Sequence, residues 1–105
     1  MVTTTTVDEL EAARLRGCRI IDVREPHEYR AGHVPGATSI PVDQVPLHLP
    51  TIRRRRPVYL ICESGNRSAR VAEYLTSHGY DALTVAGGTA AWRAAGRPVR
   101  ALLSA

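Results

Sequence analysis

The stretch "VYLICESGNRSARVAEYL", Val58 to Leu75, decides how this chain is read. An unbroken apolar run ends on Cys62. Six polar or small residues follow, Gly65 among them. Apolar residues then recur at helical spacing, with Val71, Ala72 and Leu75 on one face. A strand, a tight loop and a helix fit this order. A strand without polar alternation is buried on both faces, which is the habit of a parallel sheet.

The pattern repeats outward. Thr6 to Glu9 reads as a capping box opening a helix, with Asp8 and Glu11 as a second possible register. Val7, Leu10 and Ala13 share that helix's face, and Gly17 stops it. Cys18 to Val23 is a short β-branched run and reads as a buried strand. Glu25 to Gly32 reads as a short helix with Pro26 at its first position. A turn leads to a brief strand at Thr38 to Ile40. The segment "VDQVPLHL" reads as a short helix interrupted by Pro46. On the other side of Cys62, a helix is expected over Ser68 to His78 and a strand over Ala82 to Ala86. A last helix is expected over Gly87 to Gly96, with Thr89 as its cap. The threonines at the start are the one low-complexity tract. Strands alternating with helices predict a parallel sheet covered on both faces. In such sheets ligands sit at the carboxyl ends of the strands, where Cys62 lies.

Composition bounds the rest. The chain has 105 residues, 44% hydrophobic and 23% charged, which predicts a single folded domain over residues 1–105. No apolar run approaches the roughly 20 residues of a membrane helix. The first fifteen residues carry neither a basic nor an apolar leader region, so a cytoplasmic location is expected. The formal net charge is +4, and all 14 basic residues are arginines. The run Arg53 to Arg56 reads first as a solvated face. No aromatic or groove-reading element accompanies it, so no nucleic-acid role is expected. A positive field that draws in small anions fits better.

The cysteines, Cys18 and Cys62, do not form a disulfide framework. They lie at opposite ends of their strands, and five residues of strand span roughly 16 Å, too far for a bridge. His27, His33, His48 and His78 are scattered, and neither cysteine has a second ligand at metal spacing, so no metal is expected.

The loop Cys62 to Ser68 joins a strand to a helix N-terminus. Amides of a first helical turn lack partners within the helix, and the dipole adds positive charge. Gly65 can take a left-handed conformation that curls successive N–H groups into an anion-holding nest. A thiol held there ionises more easily. Arg67 adds a bidentate fork for an oxyanion. The bland alternative is an inert buried cysteine followed by a capping turn. Spacing narrows the chemistry. The phosphate-cradling GxxxxGK[ST] loop is absent. Four residues separate Cys62 from Arg67, one fewer than in the cysteine phosphatase pattern. The shorter loop suits a smaller group, such as a single bound sulfur atom. His33 is the one histidine placed to serve a cysteine hydrolase, and it reads better as a turn-tying residue.

With these residues in place, the chain resembles a single-domain rhodanese, a thiosulfate sulfurtransferase, from about Thr6 to Pro98. "IIDVREPHEYRAGHVPGATSIP", Ile20 to Pro41, resembles the family's first signature. "CESGNRS" resembles its active-site loop. "GGTAAW", Gly87 to Trp92, resembles its closing Gly-Gly and tryptophan helix. The resemblance implies a three-layer α/β fold with a central, mainly parallel five-stranded sheet and helices on both faces. It implies that Cys62 attacks the outer sulfur of thiosulfate, or of a persulfide donor, and holds it as a persulfide. A thiol or cyanide then accepts the sulfur, and a small redox or sulfur-carrier protein is among the partners it allows. The amides of Glu63, Ser64, Gly65, Asn66, Arg67 and Ser68 would hold the charged sulfur, and Arg67 the donor's sulfonate. Asp22 and Arg24 would brace the loop, and Trp92 would pack in the core. No cofactor and no membrane is implied, and the chain would act as a monomer or weak homodimer. Glu63 is expected to point to solvent; turned inward, it would repel thiosulfate and raise the thiol's pKa. Two alternatives remain: a non-catalytic rhodanese-like binding or regulatory module, whose kind usually lacks the cysteine, and a small phosphatase or arsenate reductase, which needs the longer loop.

Overall fold

Val58–Ile61 forms a strand, β4, buried at every position. Alternation of side chains explains its unbroken apolarity. Val58, Leu60 and Cys62 face one way, into a core with Val71, Ala72, Leu75 and Tyr80. Tyr59 and Ile61 face the other, into a core with Leu10, Ala13, Val85 and Trp92. Trp92 is fully buried, as expected, and its Nε1 donates to Pro98 O at 2.8 Å.

The computed structural model describes residues 2–102. The order is β1 (Thr3–Thr5), α1 (Val7–Leu15), β2 (Arg19–Asp22), α2 (Pro26–Ala31), β3 (Thr38–Ser39), a 3-10 helix (Val42–Thr51), β4, α3 (Asn66–Ser77), β5 (Ala82–Val85) and α4 (Gly88–Ala94). The five strands run β1-β5-β4-β2-β3 across the sheet, and every pairing is parallel. Among the described residues no helix is long and apolar enough to cross a membrane.

Several local expectations change. The opening threonines are a strand: Thr3–Thr5 pairs with β5, and Thr5 is buried. Threonine's branched side chain suits a pleated edge. Thr6 caps α1, accepting from Glu9 N at 3.1 Å, which selects the first of the two registers. Glu9 does not reach back to the cap; Thr5 Oγ1 donates to it instead. The segment after Ile40 is a 3-10 helix that runs to Thr51 with Pro46 and Pro50 inside. Proline lacks the N–H that an α-helix needs there, and the tighter form tolerates it. Helix α3 starts at Asn66, two residues earlier than expected, because Gly65 adopts a left-handed φ of 110° and starts the turn immediately.

Candidate active site

The sheet changes direction between β2 and β4. From β2 the chain moves outward to β3, while from β4 it moves the other way to β5. The loops leaving β2 and β4 therefore part at the strands' carboxyl ends, the place where open α/β sheets bind ligands. Cys62 follows β4 there; Asp22 ends β2 beside it, and Arg24 lies in the loop that leaves β2. Val23 N donates to Ile61 O at 2.9 Å, tying the two strand ends together.

Cys62 is buried, 1% exposed, so its sulfur lies at the floor of the loop. Its Sγ accepts from Gly65 N at 3.1 Å and Ser68 N at 3.4 Å. Ser68 Oγ lies 3.4 Å from the sulfur and 2.7 Å from Thr84 Oγ1 on β5. Burial pushes the thiol's pKa up. The Ser68 hydroxyl and the amides of Ser68, Gly65 and Ser64 outweigh that and hold it below the ordinary cysteine value. The amides of Asn66 and Arg67 belong to the same first turn and find no acceptor within the helix.

The loop's carbonyls are turned away from the sulfur by α4. Thr89 N donates to Cys62 O at 2.8 Å and Ala90 N to Glu63 O at 3.0 Å. Thr89 Oγ1 donates to the same Cys62 oxygen at 3.0 Å. Thr89 is thus not the cap of its own helix; Gly87 is, at a φ of 74°. The start of α4 serves the neighbouring loop.

Asp22 and Arg24 are both buried, 0% and 1% exposed. Arg24 Nη2 donates to Asp22 Oδ2 at 2.8 Å and to Gly32 O at 2.8 Å, and its Nη1 reaches Glu63 Oε1 at 3.1 Å. Arg24 thus links Asp22 at the end of β2 to Glu63 in the loop. Glu63 does not simply face solvent. Arg93 Nη1 of α4 also holds it, at 2.7 Å. Arg93 and Arg24 keep its carboxyl ionised below the usual range. The cause is that two cations flank one loop position, one from the loop after β2 and one from α4.

Arg67 brings the largest surprise. Its Nη1 and Nη2 donate to Glu28 Oε1 and Oε2 at 2.8 and 3.0 Å. Glu28 sits on α2 and also accepts from Glu25 N at 3.0 Å. Arg67 draws the Glu28 carboxyl down to about 2, and Glu28 holds Arg67 above its ordinary value. The fork read as free for a donor's oxyanion is occupied by a carboxylate. Glu28 escaped the sequence reading, which treated it only as part of a signature; a carboxylate at the start of a helix packed beside the loop was the signal available.

His33 ties a turn, as expected. It is buried, its Nδ1 lies 2.8 Å from Tyr29 O, and its ring stacks on Tyr29 at 3.6 Å between centroids. Both cysteines are free, as the strand geometry requires. Ser64 and Asn66 are exposed at the rim of the loop.

A parallel α/β sheet with a thiol cradled by amides at its carboxyl edge defines the class. The chain belongs to the rhodanese-like domain family, whose model matches residues 6–95. It is 41% identical over 75 residues to the uncharacterized protein YqhL of Bacillus subtilis, a match covering 71% of this chain and 60% of that protein. It is 39% identical over 75 residues to a protein of Tolumonas auensis named thiosulfate sulfurtransferase GlpE, covering 70% and 71%. The fold matches a rhodanese-related protein from Thermoplasma volcanium with a TM-score of 0.86 at 28% identity, over 93% of this chain and 97% of that one.

Proposed function

We propose that this protein is a sulfurtransferase that carries a sulfane sulfur on Cys62, taken from thiosulfate or a persulfide donor and delivered to a thiol or to cyanide. The observation that carries the reading is the Cys62 sulfur held by the Gly65 and Ser68 amides. The thiolate attacks the donor's outer sulfur. The Cys62–sulfur bond forms as the donor's sulfur–sulfur bond breaks, and the electron pair leaves with sulfite, or with a thiolate when the donor is a persulfide. Cys62 then bears a persulfide anion. The amides of Glu63 to Ser68 hold that charge, and burial keeps water from it. The acceptor attacks the outer sulfur and returns Cys62 as thiolate, so no redox partner and no cofactor is needed. A small redox or sulfur-carrier protein is a fitting acceptor, and the cytoplasm a fitting compartment for a working thiolate.

The Glu28–Arg67 pair favours a persulfide as the donor. A sulfonate must displace Glu28 from the guanidinium before Arg67 can hold it, whereas a persulfide needs only the amides. Glu28 takes the place that sequence reasoning gave Glu63, as the carboxylate that works against thiosulfate.

The test is intact mass after incubation with thiosulfate and, separately, with a low-molecular-weight persulfide. One added sulfur atom on the native chain and none on Cys62→Ser supports the reading. No added sulfur from either donor, with the thiol demonstrably free, overturns it in favour of a binding or regulatory module.

A further inference from the structure

The arginine run Arg53 to Arg56 takes no part in the site around Cys62, and the fold splits it. Arg54 turns aside, its guanidinium 4.3 Å from the Tyr80 ring centroid and donating to His78 O. Arg53 and Arg56 turn instead into a cleft of about 520 Å³, which Arg16 and Arg19 also line. The cleft lies at the amino ends of β2 and β4, where Val58 begins β4. Cys62 follows the other end of that strand, about 13 Å away along it.

Among the described residues four arginines line this cleft and no aspartate or glutamate does. Among the described residues none of the four forms a salt bridge. Arg19 Nη1 donates to Thr51 O at 2.9 Å, which fixes its guanidinium, and its buried Nε has no partner. Like charges gathered on one concavity repel one another, and an anion relieves that repulsion. Guanidinium forks match phosphate oxygens two at a time. Pro57, half-buried, also lines it, while Ile20 and Val58 behind it belong to the protein's own core. The volume lies within the roughly 300–1,000 Å³ of small-molecule sites.

We propose that this cleft binds a small polyanion bearing a phosphate or pyrophosphate group. The site is separate from the sulfur-bearing loop and does not depend on the proposed sulfur transfer.

The experiment titrates the native chain with inorganic pyrophosphate at fixed ionic strength by calorimetry. It repeats the titration on Arg53→Gln/Arg56→Gln and on Arg16→Gln. These arginines are exposed, so the variants keep the core intact. Cys18 lines the cleft and reports location: its alkylation by iodoacetamide is followed in Cys62→Ser with and without pyrophosphate. Expected are saturable binding, a dissociation constant raised about tenfold in the double variant, and slower alkylation of Cys18. Absence of saturable binding in the native chain overturns the proposal. So does equal affinity in both variants, which would move the anion to the loop around Cys62. Tighter binding of a short single-stranded RNA through the same arginines also overturns it, by making the cleft part of a nucleic-acid surface.

Discussion

The Cys62 sulfur is held between two opposed effects. Burial favours the neutral thiol; the Ser68 hydroxyl and three amides favour the thiolate, and they prevail. The folded pKa is therefore depressed. The thiolate contributes to stability above the unfolded cysteine value of about 8.5, and that contribution is lost as pH falls through the folded value. With Cys18→Ser leaving one thiol, the pH profile of Cys62 alkylation is expected to turn below the free-cysteine value. Ser68→Ala should move it upward and slow alkylation near neutral pH by up to about tenfold, one pKa unit's worth. A profile identical to wild type would remove the hydroxyl from the account. Glu28 gives the second residue-level prediction. Its carboxyl is drawn down to about 2, so the pair's contribution is complete above the unfolded value of about 4.3, declines steadily below it and is gone once pH has fallen through about 2. Glu28 consequently stays ionised beside Arg67 near neutral pH. Glu28→Gln keeps the hydrogen-bonding shape but removes the competing charge. Thiosulfate KM should fall several-fold, by the order of 1 kcal/mol of a charged hydrogen bond, while turnover with a persulfide donor stays near wild type. Unchanged thiosulfate kinetics would show that Arg67 does not meet the donor.

At the scale of elements, the loop is shaped as much by α4 as by α3. Gly88 marks the contact: a Cβ there would lie 2.4 Å from Cys62 O and 2.7 Å from Glu63 O, at a φ of 55° that side chains rarely adopt. Gly88→Ala must push α4 off the loop and release the two carbonyls that Thr89 and Ala90 hold. A loss of about 2–4 kcal/mol in urea unfolding is expected, together with slower Cys62 alkylation as the nest loosens. Full reactivity in a destabilised variant would separate stability from the site. Which parts of this were legible follows from range. The strand ending on Cys62, the loop and the helix after it are local and periodic, and the sequence displays them. The left-handed Gly65 is a single-residue property and was equally readable. The partners of Glu63 and Arg67 were not. Arg93 lies 30 positions from Glu63, and Glu28 lies 39 from Arg67. No periodicity specifies which side chains meet when separate loops converge on one sheet edge. Thr89 was misread for the same reason: hydroxyl caps are a local rule, and here the hydroxyl serves a carbonyl 27 positions away.

Across the whole molecule, the strand order ranks the parts by their closeness to the chemistry. The Cys62 loop follows β4 beside β2, β5 supports it through Thr84 and Ser68, and β1 lies one strand further out at the sheet's edge. The family match begins at residue 6, so β1 precedes the matched region, yet it is built into the sheet. Ala86 N donates to Thr5 O at 2.9 Å, just where β5 ends beside the loop. An edge strand of this kind covers a row of backbone groups that would otherwise offer themselves to another chain. Deleting residues 1–5 should therefore lower stability by about 1–3 kcal/mol in urea and raise the tendency to self-associate, measured by light scattering. The alkylation profile of Cys62 should hold, because Thr84 stays pinned by the pairing of β5 with β4, where Leu60 faces Thr84. If the profile shifts upward as stability falls, β1 acts on the thiol through β5, and the site extends to the edge of the sheet.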